Sequence, residues 1–341
     1  MSGYRMKATL VLSLFAILGL AACGGGAAGS DGPSDRDHLE VMLLPGSNLI
    51  PVVTAQEQGF FDAAGLKVSV VDQPAQLGSV QALTATGAEL TQISTASLIE
   101  SWQAGASLTA VCGGQQTQLM TLLAAKDSAL PSMDSGASPA EVLRNLDGAV
   151  IGFPTPEGTG FQKQFAAALA NAGVRNVTYV NVGVAAPQVY AALTNGAVDV
   201  AASFPTAAQF ILDSGKGKKL LLMPDGSPLY RDAYFTVWAG LPGWVEDNPE
   251  AARKFCTAID QALTFLHEDA NDAVTTARIT KTLRVSPAVA SRALADGVWD
   301  TYSVKFTKEQ FDSTLDILLE AGVVADEKVP AYTDLVRPAL P

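Results

Sequence analysis

Two widely separated stretches, "ALTATGAELTQIS" at 82–94 and "ALTNGAVDVAAS" at 192–203, follow one programme. In each, a helical pattern stops at a glycine, Gly87 or Gly196; an acidic residue, Glu89 or Asp199, follows, and an apolar run begins. Glycine supplies the left-handed residue that ends a helix, and a short apolar run bounded by such a stop reads as a buried strand. Strand and helix patterns alternate on both sides of each stretch. Such a chain builds mostly parallel sheets covered by helices, with right-handed crossovers. The repetition therefore predicts two α/β lobes of common design, not a solenoid of short units.

The first unit is legible in detail. "HLEVMLLP" reads as a strand, Asn48 and Pro51 suit a helix start, and Gly59 stops that helix. Phe60 and Phe61 then fall in a turn, and Leu66, Val68 and Val70 alternate with polar residues as the next strand. The Ser- and Pro-rich stretch "KDSALPSMDSGASPAE" has the composition of a crossing between lobes. The last third is helical, over roughly 270–282, 287–299 and 308–320 by apolar periodicity, and is expected to pack on the first lobe after the chain returns through "DAYFTVWAG". The expected division is a leader at 1–22, a tether at 23–37, first lobe at 38–122, second lobe at 123–234, and return to the first lobe at 235–341.

The leader has Arg5 and Lys7 ahead of a short apolar run that ends in Leu20-Ala21-Ala22-Cys23. That pattern matches a lipoprotein signal, with Cys23 as the lipidated residue and "GGGAAGSDGPSD" as flexible tether; the plainer reading is a secretory signal with an incidental cysteine. Either places the chain outside the cytoplasm, and lipidation anchors it to a membrane surface. Export permits a Cys112–Cys256 disulfide, although both residues also suit a core as small apolar groups. The net charge of −12 and the absence of any Lys/Arg run disfavour a nucleic-acid partner.

Four stretches resemble the substrate-binding lipoproteins of ABC importers, of the nitrate/sulfonate/taurine type with the type II periplasmic-binding-protein fold. They are "AQEQGFFDAAGLKVSVV", "ALTATGAELTQIS", "NGAVDVAASFP" and "GWVEDNPEAARKFCTAIDQAL". The resemblance implies two doubly wound α/β lobes joined by a hinge, C-terminal helices on the first lobe, a monomer, and as partners a permease with its cytoplasmic ATPase. It implies no cofactor. Glu89 stands where the family has aspartate, at a position expected to be structural.

Ligands of open α/β sheets bind beyond the carboxyl ends of the strands. Two facing lobes put a small molecule between Ser47, Asn48, Gln76, Gly78, Ser79, Ser94 and Thr95 on one side and Thr155, Glu157, Gly158, Thr159, Gly183, Phe204 and Pro205 on the other. The resemblance points to the same loops. Gly78-Ser79 and Gly158-Thr159 open helices whose N–H groups favour an anion, and their hydroxyls also suit plain helix caps. Glu157 either opposes a strongly anionic ligand or is only a dipole partner of the helix start that points to solvent, and no Lys or Arg in these loops offers a charge clamp. The ligand is then held by N–H and hydroxyl groups alone, or is neutral. Phe204 reads either as a stacking surface or as core.

An enzyme is disfavoured. His38 and His267 are the only histidines, and no metal cluster, nucleophile elbow or phosphate loop appears, so neither catalytic nor metal residues are assigned. The reading is an extracytoplasmic solute receptor that delivers nitrate-, sulfonate- or taurine-like molecules to a permease. The alternatives are a receptor for a pyrimidine, thiamine precursor or other aromatic compound, and a ligand-sensing lipoprotein uncoupled from transport.

Overall fold

Alternating strands and helices build two sheets of one topology. The computed structural model describes residues 38–73, 78–106 and 108–340. The leader, the tether with Cys23, and Gln76 lie outside the described residues.

The first lobe opens with β1 (His38–Leu43), α1 (Leu49–Glu57), α2 (Phe60–Ala63) and β2 (Lys67–Asp72). It continues through α3 (Ser79–Thr86), β3 (Leu90–Ser94), α4 (Thr95–Gln103) and β4 (Thr109–Gly113). The second lobe holds β5 (Thr121–Ala125), α5 (Pro139–Arg144), β6 (Val150–Phe153), α6 (Gly160–Asn171) and β7 (Thr178–Asn181). There follow α7 (Ala186–Thr194), β8 (Val200–Ser203), α8 (Pro205–Asp213), β9 (Gly217–Leu222), α9 (Met223–Gly226) and α10 (Pro228–Arg231). The return begins with β10 (Thr236–Gly240), α11 (Pro242–Asp247) and α12 (Pro249–Leu266). It ends with α13 (Asp272–Leu283), α14 (Pro287–Ala295), α15 (Lys308–Glu320) and α16 (Tyr332–Leu335).

Strand order is β2-β1-β3-β10-β4 in one sheet and β7-β6-β8-β5-β9 in the other. With the first parallel strand of each lobe as one, both read two-one-three-inserted-four. The inserted strands, β10 and β5, are antiparallel to both neighbours. Each is the strand that enters straight from the opposite lobe, so the two crossings are woven into the sheets they reach.

The first crossing corrects the sequence reading. The chain leaves the first sheet at Gly113 and joins the second at Thr121, so it crosses at 114–120, and a division after residue 122 falls inside β5. The stretch 126–141 lies within the second lobe. Its serines serve as caps instead: Ser132 accepts from Ser135 N, and Ser138 accepts from Glu141 N at the start of α5. Linker composition and cap composition are the same residues.

The repeated acidic position has one role in both lobes. Glu89 Oε2 accepts the N–H of Glu40 in β1 at 2.7 Å, and Asp199 Oδ2 accepts the N–H of Val150 in β6 at 2.8 Å. Each residue also donates its own N–H back to the partner's carbonyl. The side chain thus closes the ladder where the third strand begins, and the longer glutamate reaches the same donor as the aspartate.

Phe60 and Phe61 begin the one-turn α2 rather than a turn, after Gly59 ends α1 at φ 73°. Phe61 is buried and stacks on Phe255 of α12 at 5.7 Å, and Phe255 meets Trp238 of β10 edge-on at 5.0 Å. This aromatic row fastens α12 to the first sheet, and a Cys112–Cys256 disulfide joins β4 to the same helix. Helices α12, α13 and α14 share the core of β1 and α1 through Ile259, Ile279, Val289 and Ala290. Thr314 of α15 accepts the N–H of Tyr234 at 2.9 Å, which seats that helix under the return crossing.

Candidate functional site

Both sheets turn the carboxyl ends of their strands toward a shared cleft of about 680 Å³. The loop after β1 contributes Ser47 and Asn48, the start of α3 contributes Gly78 and Ser79, and the β3–α4 junction contributes Ser94. From the second lobe come Thr155, Glu157, Gly158 and Thr159 after β6, and Phe204 after β8. The sequence-derived residues that line the cleft are these ten. Thr95 does not line it: its side chain is turned inward at 1 % exposure. Gly183 and Pro205 are also absent from the lining, where their neighbours Val184 and Phe204 stand instead.

Several hydroxyls are engaged by their own loops. Ser94 caps α4 by accepting from Ser97 N at 3.1 Å and donates to Ser97 Oγ at 2.9 Å. Thr159 caps α6 by accepting from Gln162 N, donates to Pro156 O at 3.0 Å, and lies 3.1 Å from Thr155 Oγ1. Both serve the capping role common to helix starts. Ser79 donates to Gln73 Oε1 at 3.4 Å, and among the described residues its helix has no side-chain cap.

One wall is aromatic. Phe161 packs between Phe204 at 6.1 Å, nearly parallel, and Phe235 at 5.2 Å. Phe161 and Phe235 are buried, whereas Phe204 is only partly covered and lines the cleft. Phe204 packs against the core as well as lining the cleft.

Sequence reasoning missed Gln92, Gln115, Tyr302, Glu100 and Lys163, all of which line the cleft. Gln92 Nε2 is buried without a hydrogen-bond partner, and a buried donor left unpaired costs free energy unless something accepts from it. Its signal was a polar residue inside the apolar run of β3. Gln115 lies in the first crossing and donates to Thr301 Oγ1 at 3.2 Å. Tyr302 arrives from the C-terminal third, 3.5 Å from Ser47 Oγ, and burial pushes its pKa up to about 12, so the phenol stays protonated. No local pattern could have announced it.

Glu100 and Lys163 stand on different lobes, on α4 and α6, and pair at 2.7 Å across the cleft. Burial raises the Glu100 carboxyl above the ordinary glutamate range, with Lys163 pulling it the other way. Lys163 is the sole Lys or Arg in the cleft lining among the described residues, whereas Glu100 and Glu157 are both there. The balance of side-chain charge is therefore negative. Beside this pair the lobes meet through Gly160, where a Cβ would lie 2.7 Å from Ser97 N and 2.8 Å from Ser97 Cα. His38 and His267 do not line the cleft.

The profile of the family described as NMT1/THI5 like matches residues 46–273. Among solved structures, the alkanesulfonate-binding protein SsuA from Xanthomonas axonopodis pv. citri, bound to MOPS, is similar at 17 % identity and TM-score 0.68, covering 89 % of this chain and 98 % of that one. The periplasmic aliphatic sulphonate binding protein SsuA from Escherichia coli aligns at 18 % identity and TM-score 0.64, over 89 % and 92 % of the two chains. The periplasmic nitrate-binding protein NrtA from Synechocystis PCC 6803 aligns at 16 % identity and TM-score 0.63, over 86 % and 83 %. No curated protein matches the chain. At these identities the neighbours establish the shared two-lobed periplasmic-binding-protein fold.

Proposed function

The chain belongs to the NMT1/THI5-like family, and on that premise we propose that it is the solute-binding component of an ABC importer. It captures a small molecule between its lobes by hinge closure and presents it to the permease. The observation that carries this reading is one cleft of metabolite size built jointly by the strand ends of both lobes. No bond is made or broken. The sulfonate- and nitrate-binding neighbours make small anions the first class to test.

A second reading of the ligand has its own support. The one lysine in the described lining is paired, Glu157 adds negative charge, and the partly covered Phe204 ring lines the cleft. Those features suit an uncharged planar molecule. A thermal-shift screen of the purified protein against nitrate, methanesulfonate, taurine, uracil and nicotinamide separates the two, since a ligand specific to the folded state raises Tm. We expect the uncharged aromatic compounds to raise it and the anions not to. No shift with any compound of either class would count against a receptor for solutes of this kind.

The site residues of this proposal are the ten cleft-lining positions above with Gln92. The protein works as a monomer outside the cytoplasm, held to the membrane by lipid on Cys23. Cys23→Ala is expected to move it from the membrane fraction to the soluble fraction; continued membrane association would remove the anchor from the account.

A further inference from the structure

Resting on the uncharged-ligand reading, we propose that Glu100 is the residue that excludes anions from the cleft. Its carboxylate occupies, from within the molecule, the place between the start of α6 and Lys163 that an anionic ligand group would otherwise take.

Three observations carry this. First, the start of a helix attracts negative charge through its free N–H groups and its dipole, and α6 is a helix of 12 residues that begins on the cleft. A Cβ added to Gly160, its first residue, would collide with Glu100 Oε2 before meeting any other atom. Second, the other Glu100 oxygen holds Lys163 Nζ at 2.7 Å, and no other Lys or Arg among the described residues lines the cleft. Third, Glu100 rides on a fixed support. Ser94 caps the start of α4, and near its end Gln103 donates to Ala325 O and Lys328 O while Lys328 lies over the Trp102 ring. The Glu100 side chain is 18 % exposed, whereas Lys163 is 51 % exposed. The carboxylate is therefore the enclosed partner, and the lysine is the group left accessible once that carboxylate is gone.

A purely structural ion pair makes a different prediction. Breaking it would weaken folding or lobe contact and would weaken every ligand alike. An anion filter makes a gain. Methanesulfonate binding is measured by isothermal titration for the wild-type protein, Glu100→Gln, Glu100→Ala and the double variant Glu100→Gln/Lys163→Met, with circular dichroism to establish folding. Both single variants are expected to bind methanesulfonate roughly tenfold tighter than wild type or more, the scale of one charge-assisted hydrogen bond. That gain is expected to fall with added salt and to vanish in the double variant. Folded single variants with no gain, or a gain that survives Lys163→Met, would overturn the assignment. If Glu100→Gln does not fold, Glu100→Ala carries the same comparison. Tight methanesulfonate binding by wild type would sink the uncharged-ligand reading, whereas the ratio of variant to wild type alone decides the role of Glu100.

Discussion

Gly160→Ala is expected to lower ligand affinity by roughly 10- to 100-fold while each lobe stays folded. The methyl group would point at the backbone of Ser97, 2.7 Å from its nitrogen and 2.8 Å from its Cα, and at the Glu100 carboxylate. A side chain can swing aside, but the Ser97 backbone is held in the capped first turn of α4. Only two crossings join the lobes covalently, so the cheapest relief is separation of α6 from α4. Overpacking of this kind costs about 1–3 kcal/mol. If only the apposed arrangement binds, that cost appears almost entirely as lost affinity. Titration with the strongest hit of the thermal-shift screen measures it, alongside the urea midpoint. Unchanged affinity would mean that the α4–α6 contact does not belong to the binding-competent form.

The second large effect concerns folding. Replacing Cys112 and Cys256 with serine is expected to cost about 3–5 kcal/mol, a substantial part of the roughly 5–15 kcal/mol that holds a domain. The bridge spans 144 residues, a loop that contains the whole second lobe. The first lobe is assembled from segments on either side of that insertion, and the disulfide ties β4 of the earlier segment to α12 of the later one. Chain entropy released on reduction grows with loop length, and this loop is long. A urea midpoint that does not move in the double serine variant would contradict the estimate. Both cysteines are buried; the sequence left bridge and apolar packing open, with packing the commoner case, and their distance in space decides for the bridge.

What could be read in advance follows the range of the interactions. The paired lobes were visible because each βα unit signs itself locally, with a glycine stop, an acidic residue and an apolar run; the shared clamp of Glu89 and Asp199 is that signature in three dimensions. Cleft residues just past the carboxyl ends of the strands, such as Ser47, Ser79, Thr159 and Phe204, came with the topology. Thr95 and Pro205 were one position off the wall, each following a residue, Ser94 or Phe204, that does line the cleft. Glu100 and Lys163 lie further into their helices, where function reads as an ordinary charged face until the opposite lobe is in place. Tyr302 reaches the site from the helical third of the chain, so its role depends on tertiary packing alone.

The central claim is that a solute sits where the two sets of strand ends meet, and a crystal structure of the protein with its strongest hit tests this most directly. Density is expected in the cleft against Phe204, with the Glu100–Lys163 pair intact. Density outside the cleft, or a ligand anion inserted between Glu100 and Lys163, would contradict it.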